Sequence, residues 1–321
     1  MRLSRRAALA VAALAPVRAR GAGFPAHPVT WVVPGGPGSV LDVGARLIAQ
    51  KMGAALGQPV LVDNRLGAGG TIAADYAARA VPDGHTVFYG NFATFAIAPL
   101  LYANLKMDAE RDFTPVHGIG ASANIVVAGL ERPFTTLAEM TAYGRAQPEK
   151  LTYAAGIGSG QHAAAALYAH VAGVRMTLVP YSNFSQALND LVAGRVDVMF
   201  DYPLSSLPFV RDGRLRALAV NAPERLAVAP EVPTIAEAGC PGAELLGWAG
   251  MYAPARTPQP ALDQLAAALV TALRDPEVKA LFDSTGTIPW ADHDAAAMRR
   301  ALAEEIPRMR ALIGRTGLRV E

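Results

Sequence analysis

Short apolar runs alternate with stretches of helical period along most of the chain, and glycine-rich segments separate them. Val29–Val33 is predicted as a strand, and apolar positions spaced three and four residues apart after Asp42 predict a helix that ends near Gly57. Val60–Val62 and Thr86–Tyr89 predict two further strands with a helix between them. The pattern therefore predicts a βαβαβ unit with a parallel sheet.

The same alternation restarts after about residue 124. The predicted strands of this second half are Ile125–Val127, Leu151–Tyr153, Thr177–Val179, a strand that ends at Asp201, and Leu215–Val220. The predicted helices are one that starts at a capping box of Thr136 with Glu139 and reaches Ala146, an alanine-rich one after residues 154–162, and Gln186–Ala193. The chain thus contains two α/β units in succession.

The last 65 residues follow a different pattern, which is mostly helical. Helices are predicted over about Pro258–Arg274, Pro276–Ser284 and Asp294–Ile313, with no strand pattern dense enough for a third sheet. We expect this tail to cover an existing lobe. A length of 321 residues suits two lobes, and extended crossovers between them are expected near Val116–Gly120 and between about 240 and 256.

The first 23 residues have the composition of an export signal. A cationic start precedes an apolar stretch, Ala7–Val17, and small residues follow it. The pair Arg5-Arg6 resembles a twin-arginine signal, but the general secretory route fits equally well, so the route stays open. We therefore expect an exported, periplasmic protein. No run of about 18 uncharged apolar residues occurs in the chain, so we expect no membrane-spanning segment.

Charge and cysteine content narrow the possible functions. The signal holds five arginines and no acid, so removing it from 29 basic residues leaves 24 against 27 acidic ones, a formal charge of −3. No cluster of basic residues interleaved with aromatics remains, and this excludes a nucleic-acid interface. Cys240 is the only cysteine, which excludes an intrachain disulfide and a cysteine-based metal site. We expect no metal and no cofactor.

Glycines, hydroxyls and amides follow the predicted strands. In an open α/β sheet, ligands bind at the carboxyl ends of the strands. Free N–H groups at a helix start can bind an anion without a cationic side chain, so these loops predict a carboxylate site. The segments concerned are Gly35–Leu41, Asn64–Gly70, Asn91–Thr94, Ala154–His162, Tyr181–Ser185 and Asp201-Tyr202.

Each of these features also has a purely structural explanation. A glycine-rich turn can simply form a tight corner, although three such loops at equivalent places favour a ligand. Asp42 is expected to cap a helix rather than to contact a ligand. His162 is either a ligand donor or a structural group, Trp248 is either core or cleft wall, and Asp201 is expected to be functional because an unpaired carboxylate needs a partner.

Sequence signatures of catalysis are missing. The chain has no Walker loop, no G-x-G-x-x-G spacing and no G-x-S-x-G elbow. A hydrolase or lyase remains an alternative, with Ser159, His162 and Asp201 as its only candidate residues. The effector half of a cytoplasmic regulator is another, which the export signal disfavours.

Several ordered motifs resemble the substrate-binding proteins of tripartite tricarboxylate transporters, the Bug family of periplasmic receptors. The likeness covers nearly all of the chain after the signal. The motifs are "VTWVVPGGPGSVLD" (29–42), "GQPVLVDNRLGAGGTIAA" (57–74), "PDGHT" (82–86), "DFTPV" (112–116), "VPYSNFSQALNDLVAGRVDVMFD" (179–201), "GRLRALAV" (213–220), "VPTIAEAG" (232–239) and "APARTP" (253–258).

This resemblance implies a type II periplasmic-binding-protein fold, in which two Rossmann-like α/β lobes close over a small organic carboxylate. Lobe 1 would comprise 24–122 and 245–321, and lobe 2 would comprise 123–244. The protein would be a monomeric receptor that serves integral-membrane transporter subunits or a sensor, with backbone amides and waters holding the ligand. The implied contacts are Gly36, Gly38, Ser39, Val40, Leu41, Gly67, Asn91, Thr94, Ser159, His162, Tyr181, Ser182, Asn183 and Asp201.

The chain departs from the family pattern at several loop positions. Gly35, Ser39 and Leu41 stand where the family usually has phenylalanine, a second glycine and a small polar residue. The loop after Tyr153 is one residue shorter than in the family, and Ser182-Asn183 replaces a basic-glycine pair. Because these changes remove polar donors from both lobes, we expect a more apolar or smaller carboxylate than citrate.

Overall fold

The computed structural model describes residues 23–102 and 105–316. The predicted export signal lies outside this part of the chain except for Gly23. The strands are β1 Val29–Val33, β2 Val60–Asn64, β3 Thr86–Asn91, β4 Phe113–Ala123, β5 Ile125–Gly129, β6 Leu151–Ala155, β7 Met176–Pro180, β8 Val198–Asp201, β9 Leu215–Val220, β10 Leu246–Pro254 and β11 Thr287–Pro289.

The helices lie mostly where the periodicity predicts them. They are α1 Val40–Leu56, α2 Thr71–Ala78, α3 Ala98–Leu101, α4 Ala109–Asp112, α5 Leu137–Ala146, α6 Gly160–Ala172, α7 Phe184–Val192, α8 Pro203–Arg211, α9 Gln259–Leu273, α10 Pro276–Thr285 and α11 Ala295–Thr316. A 3-10 turn at Ala68–Gly70 and a π-helical turn at Ala93–Ile97 precede α2 and α3. The sequence pattern does not predict α3, α4 or α8.

Two mixed sheets form the frame of the molecule. The six-stranded sheet has the order β11-β4-β10-β3-β1-β2, and the five-stranded sheet has the order β7-β6-β8-β5-β9. β1 pairs in parallel with β2 and β3, and β6 pairs in parallel with β7 and β8. The expected α/β fold with two units is therefore confirmed. The loops at the carboxyl ends of these parallel strands line a common cavity between the two sheets.

The chain crosses between the sheets close to the residues expected, but not within all of them. Val116–Gly120 lies inside β4, so the first expected connector is wrong. The second is right for residues 240–245, whereas residues 246–254 form β10, which pairs with β4 antiparallel. Two glycines hide the strand pattern of β4. Any side chain at Gly118 or Gly120 would collide with the tail, since an added Cβ would lie 2.8 Å from His293 Cβ or 2.7 Å from the Ile288 carbonyl oxygen.

The two crossings between the sheets are hydrogen-bonded to each other. Asn124 joins β4 to β5, and the return path runs from Asn221 to Leu245. The Asn124 N–H donates to Asn221 Oδ1 at 2.6 Å, and the Asn221 N–H donates back to the Asn124 carbonyl at 2.9 Å. The Leu245 N–H donates to the Asn221 carbonyl at 2.9 Å. Three backbone segments therefore form one junction between the two sheets.

Apolar packing fills both faces of each sheet. One core lies between the six-stranded sheet and helices α1, α9 and α10, and another lies between the five-stranded sheet and helices α7 and α8. A third core joins the two halves, because α11 packs against β4, the π-helical turn and α6. The helical tail thus covers an existing sheet, as expected. Within the described residues, no helix is both long and apolar enough to cross a membrane.

Candidate functional site

A cleft of about 1240 Å³ opens between the two sheets. Its walls come from the loops that follow β1, β2, β3, β6, β7 and β8. Thirteen of the fourteen predicted contact residues line it: Gly36, Gly38, Ser39, Val40, Leu41, Gly67, Asn91, Thr94, Ser159, Tyr181, Ser182, Asn183 and Asp201. The remaining one, His162, does not. Tertiary structure therefore brings loops from distant parts of the sequence to one cavity.

The first loop is held at the start of α1 by reciprocal hydrogen bonds. Ser39 is the N-cap, and its Oγ accepts the Asp42 N–H at 3.3 Å. Asp42 is the third residue of the helix, and its Oδ2 accepts the Gly38 N–H at 2.8 Å. The expectation that Asp42 caps the helix is therefore wrong, because Ser39 is the N-cap and Asp42 lies within the first turn. Its carboxylate points back along the loop because the third helical position faces the preceding turn.

Asn64 fixes the same loop from the end of β2, a role that no sequence pattern predicts. Its Nδ2 donates to the Gly35 carbonyl at 2.8 Å and to Asp42 Oδ1 at 2.9 Å, while Arg46 Nη2 donates to its Oδ1 at 2.8 Å. Burial tends to raise the pKa of Asp42, but hydrogen bonds from Arg46, Gly38 and Asn64 hold that pKa below its usual value. The loop is therefore fixed around an ionised carboxylate.

The loop after β2 packs directly on the π-helical turn. Gly70 has a φ of +91°, and a Cβ there would overlap Thr94 Oγ1 and lie 2.9 Å from Pro34 Cβ. Thr94 is fully buried, its Oγ1 donates to the Gly69 carbonyl at 3.1 Å, and its N–H donates to Asn91 Oδ1 at 3.0 Å. Asn91 and Thr94 thus shape the cleft wall through contacts with backbone groups.

After β6 of the five-stranded sheet, Ser159 and His162 stabilise the start of α6. Ser159 is the N-cap and accepts the His162 N–H at 3.2 Å, while His162 Nδ1 accepts the Gly158 N–H at 3.2 Å. Burial lowers the pKa of His162 to about 4, so the ring is neutral at pH 7. These contacts support the structural alternative for His162. They also leave Ser159 without a bond to the imidazole, so this serine and histidine form no nucleophile–base pair.

The loop after β7 is shaped by side chains of its own. Asn183 is the N-cap of α7 and accepts the N–H groups of Ser185 and Gln186 at 3.0 and 3.3 Å. The Tyr181 hydroxyl donates to Asp190 Oδ2 at 2.8 Å. Both side chains are therefore engaged in the wall, and α7 presents the start of its backbone to the cleft as α1 and α6 do.

Asp201 and Trp248 are buried polar residues in the cleft wall. Asp201 is 1% exposed, burial raises its pKa to about 7, and its Oδ2 has no hydrogen-bond partner. Trp248 is 5% exposed, its ring contacts Phe92 edge to face, and its Nε1 also lacks a partner. Trp248 is thus both core and cleft wall. Among the described lining residues, Asp201 is the only one whose side chain can carry a full charge near neutral pH.

Among the described residues, one group of side chains has the spacing of metal ligands. Atoms of His27, Asp83 and His85 lie within 4.8 Å of one another. This group lies away from the cleft, and two of its atoms are already engaged. His85 Nε2 accepts the Ala26 N–H at 3.1 Å, and Asp83 Oδ1 accepts the His85 N–H at 2.8 Å. Besides the Asp201 carboxylate, the described lining of the cleft offers carbonyls, amides and hydroxyls.

Comparison with known proteins decides the family. Residues 44–318 match the family model described as the tripartite tricarboxylate transporter family receptor, TctC. The chain belongs to this family. Tripartite tricarboxylate transporter receptors are periplasmic solute-binding proteins, and the resemblance inferred from the motifs is confirmed.

Related sequences and structures agree with this assignment. A protein of the tcbD–tcbE intergenic region of Pseudomonas sp. strain P51 is 41% identical over 79% of this chain and 76% of its own length. BugT of Bordetella pertussis is 31% identical over 93% of this chain and 92% of its own length.

Two solved structures from Rhodopseudomonas palustris are covered over 100% of their own chains. Rpa4515 with adipate has a TM-score of 0.86 at 33% identity over 92% of this chain, and MatC with bound malate has a TM-score of 0.82 at 36% identity over 90%. The structure of the periplasmic binding protein BugD has a TM-score of 0.84 at 30% identity over 92% of this chain, which confirms the periplasmic-binding-protein fold expected from the motifs.

Proposed function

We propose that this protein captures a small organic carboxylate between its two lobes and delivers it to a tripartite tricarboxylate-type transporter or to a sensor. The single observation that carries the proposal is the convergence of three helix starts, those of α1, α6 and α7, on one cleft without lysine or arginine among its described lining residues. Helix starts attract anions through free N–H groups and the helix dipole.

Lobe closure follows from where these groups lie. Helix α1 follows β1 of the six-stranded sheet, whereas α6 and α7 follow β6 and β7 of the five-stranded sheet. A ligand that contacts both sets stabilises the closed state, because it binds that state more tightly than the open one. We propose that lobe 1 is residues 24–122 with 245–321 and that lobe 2 is residues 123–244, a division that the strand content of the two sheets supports.

The cleft favours a ligand with fewer charges than citrate. Leu41, Leu66 and Phe184 line it, and no cationic side chain of the described lining balances several carboxylates. Receptors of similar structure are described with adipate and with malate, so carboxylic acids of this size are the first candidates. We propose binding without chemical conversion, since Ser159 and His162 support the wall rather than pair with each other.

The remaining parts of the proposal concern location and assembly. The composition of residues 1–23 supports export to the periplasm by the general secretory or the twin-arginine route. Family membership supports integral-membrane transporter subunits as partners. We propose that the protein acts as a monomer, as the family resemblance implies.

Thermal unfolding of the purified protein against a panel of carboxylates, amino acids and aromatic acids tests the function. A ligand that binds only the native state raises the unfolding temperature in a saturable way, and we expect this with one acid, recovered unchanged afterwards. Denaturing the protein and assaying released acids reveals a ligand already bound. Conversion of the acid, or no shift with an empty cleft, would contradict the proposal.

A further inference from the structure

The floor of the cleft contains buried polar groups that have no partner in the described structure. Asp201 ends β8, and the register with β5 places it opposite Ile125, next to the crossing at Asn124. Its Oδ2 accepts no hydrogen bond, and Asn124 Nδ2 and Trp248 Nε1 donate none. All three residues line the same cleft. Buried polar groups are nearly always hydrogen-bonded, so we expect these three side chains to form hydrogen bonds with groups of the bound ligand.

These side chains require different chemical groups on the ligand. Trp248 Nε1 and Asn124 Nδ2 are donors, so they suit the oxygens of a carboxylate. An ionised Asp201 can only accept, and a second ligand carboxylate placed against it would bring two negative charges together. Since no lysine or arginine of the described lining lies between them, a ligand group that reaches an ionised Asp201 has to donate a hydrogen bond to it.

We propose that Asp201 selects carboxylates that also carry a hydrogen-bond donor, a hydroxyl or an ammonium group, at the end that reaches β8. The proposal rests on the proposed function and names the chemistry of its ligand. An acid of the same length without the donor would leave Oδ2 buried and unpaired. Sites built around such a hydrogen bond reject analogues that lack it far more strongly than apolar pockets reject a missing methylene.

The surroundings of Asp201 make the bond sensitive to pH. Titratable groups on the elements packed against β8 include Tyr153 on β6, His162 on α6 and Asp190 on α7, and Tyr202 directly follows Asp201. Burial raises the pKa of both tyrosines to about 12 and lowers that of His162 to about 4, and the Tyr181 hydroxyl holds the pKa of Asp190 below its usual value. None of these groups changes charge between pH 6 and 8. Asp201, whose pKa burial raises to about 7, does.

Matched acids provide the test. We would measure calorimetric affinities of the purified protein for succinate, malate and aspartate, and for unsubstituted, ω-hydroxy and ω-amino monocarboxylates of three to six carbons. We expect a donor-bearing acid to bind at least about 10-fold more tightly than its unsubstituted counterpart. We also expect its affinity to rise between pH 6 and 8, because an ionised Asp201 is the better acceptor.

Variants at one position separate the two donors. Asp201→Leu removes the acceptor at similar volume and should abolish the preference for either donor. Asp201→Asn keeps a neutral acceptor, so a hydroxyl preference survives and an ammonium preference is lost. Asp212→Asn makes the same charge change at an exposed position after α8 and should leave the preference intact.

Two results would overturn the inference in distinguishable ways. If some carboxylate binds but the donor makes no difference, or affinity rises as the pH falls, Asp201 does not accept from the ligand and only the proposed function stands. If no acid of the series binds to protein shown to be empty, the proposed function fails and the inference fails with it.

Discussion

At the scale of single residues, burial without a neighbouring cation is the property that sets Asp201 apart from the other buried carboxylates of the described chain. Asp42 and Asp197 are also buried, but Arg46 lies 2.9 Å from the first and Arg132 lies 2.7 Å from the second. Asp201 has no such neighbour, so its charge is unfavourable in the ligand-free fold. The binding site therefore reduces the stability of the empty protein.

Asp201→Asn should stabilise the empty protein at alkaline pH. Because the folded pKa, about 7, lies above the unfolded value of 3.8, ionisation penalises the fold increasingly from about pH 4 to pH 7. Three pKa units correspond to at most about 4 kcal/mol. Urea unfolding at pH 8 should show the variant to be more stable, with the difference vanishing near pH 4. A difference that does not depend on pH would contradict this account.

His162 should make the protein less stable in acid. Its folded pKa of about 4 lies below the unfolded value of 6.5, so the unfolded chain binds a proton first as the pH falls, and up to about 3 kcal/mol is lost between pH 6.5 and 4. His162→Asn keeps an acceptor near Gly158 and should flatten this part of the stability curve.

At the scale of elements, the loops depend on backbone shapes that few residues allow. Gly70 illustrates this, because its positive φ and its contact with Thr94 leave no room for a side chain. Gly57 also has a positive φ, +69°, at the end of α1, but nothing lies within 4 Å of an added Cβ. The two glycines share a backbone requirement and differ in packing.

Gly70→Ala and Gly57→Ala form a matched pair. Both place alanine at positive φ, which costs about 1 kcal/mol, but only Gly70→Ala must also displace Thr94. We expect Gly70→Ala to be destabilised by a further 1–3 kcal/mol or so and to lose carboxylate binding. Denaturant unfolding and ligand-induced thermal shifts measure both effects. Equal losses in the two variants would show that the contact with Thr94 is unimportant.

At the scale of the whole molecule, the crossings at Asn124 and Asn221 connect two sheets that share little else than α11 and its core. The hydrogen bonds between these asparagines keep the crossing segments together, so we expect rotation of one lobe against the other to concentrate there. Asn124 and Leu245 of this junction also line the cleft. We therefore expect ligand binding to be coupled to lobe rotation.

A bound acid should make the protein more compact. Small-angle X-ray scattering of the purified protein should show a radius of gyration that falls as the acid identified by thermal shift is titrated, and that saturates with the same affinity. An acid from the panel that gives no thermal shift is the control. An unchanged radius at saturation would mean that the ligand binds without lobe closure.

Local patterns are sufficient to predict most elements and the loops of the site. The β-branched run of β1, the mostly apolar run of β9, the capping box at Thr136 and the glycine stops of α1 and α6 are all properties of neighbouring residues, so the sequence alone determines them. Ordered motifs likewise indicate the family. These signals depend on a few consecutive positions and on the preferences of each residue type.

Other features depend on tertiary contacts. The sequence pattern does not reveal β4 because its glycines accommodate the tail, α8 because prolines at 203 and 208 suggest a break, or the role of Asn64 because its partners lie up to 29 residues away. Whether His162 supports a loop and whether Asp201 has a partner depends on groups brought together only by folding. Burial and long-range hydrogen bonding depend on contacts between residues that are far apart in the sequence. Only the tertiary structure therefore decided them.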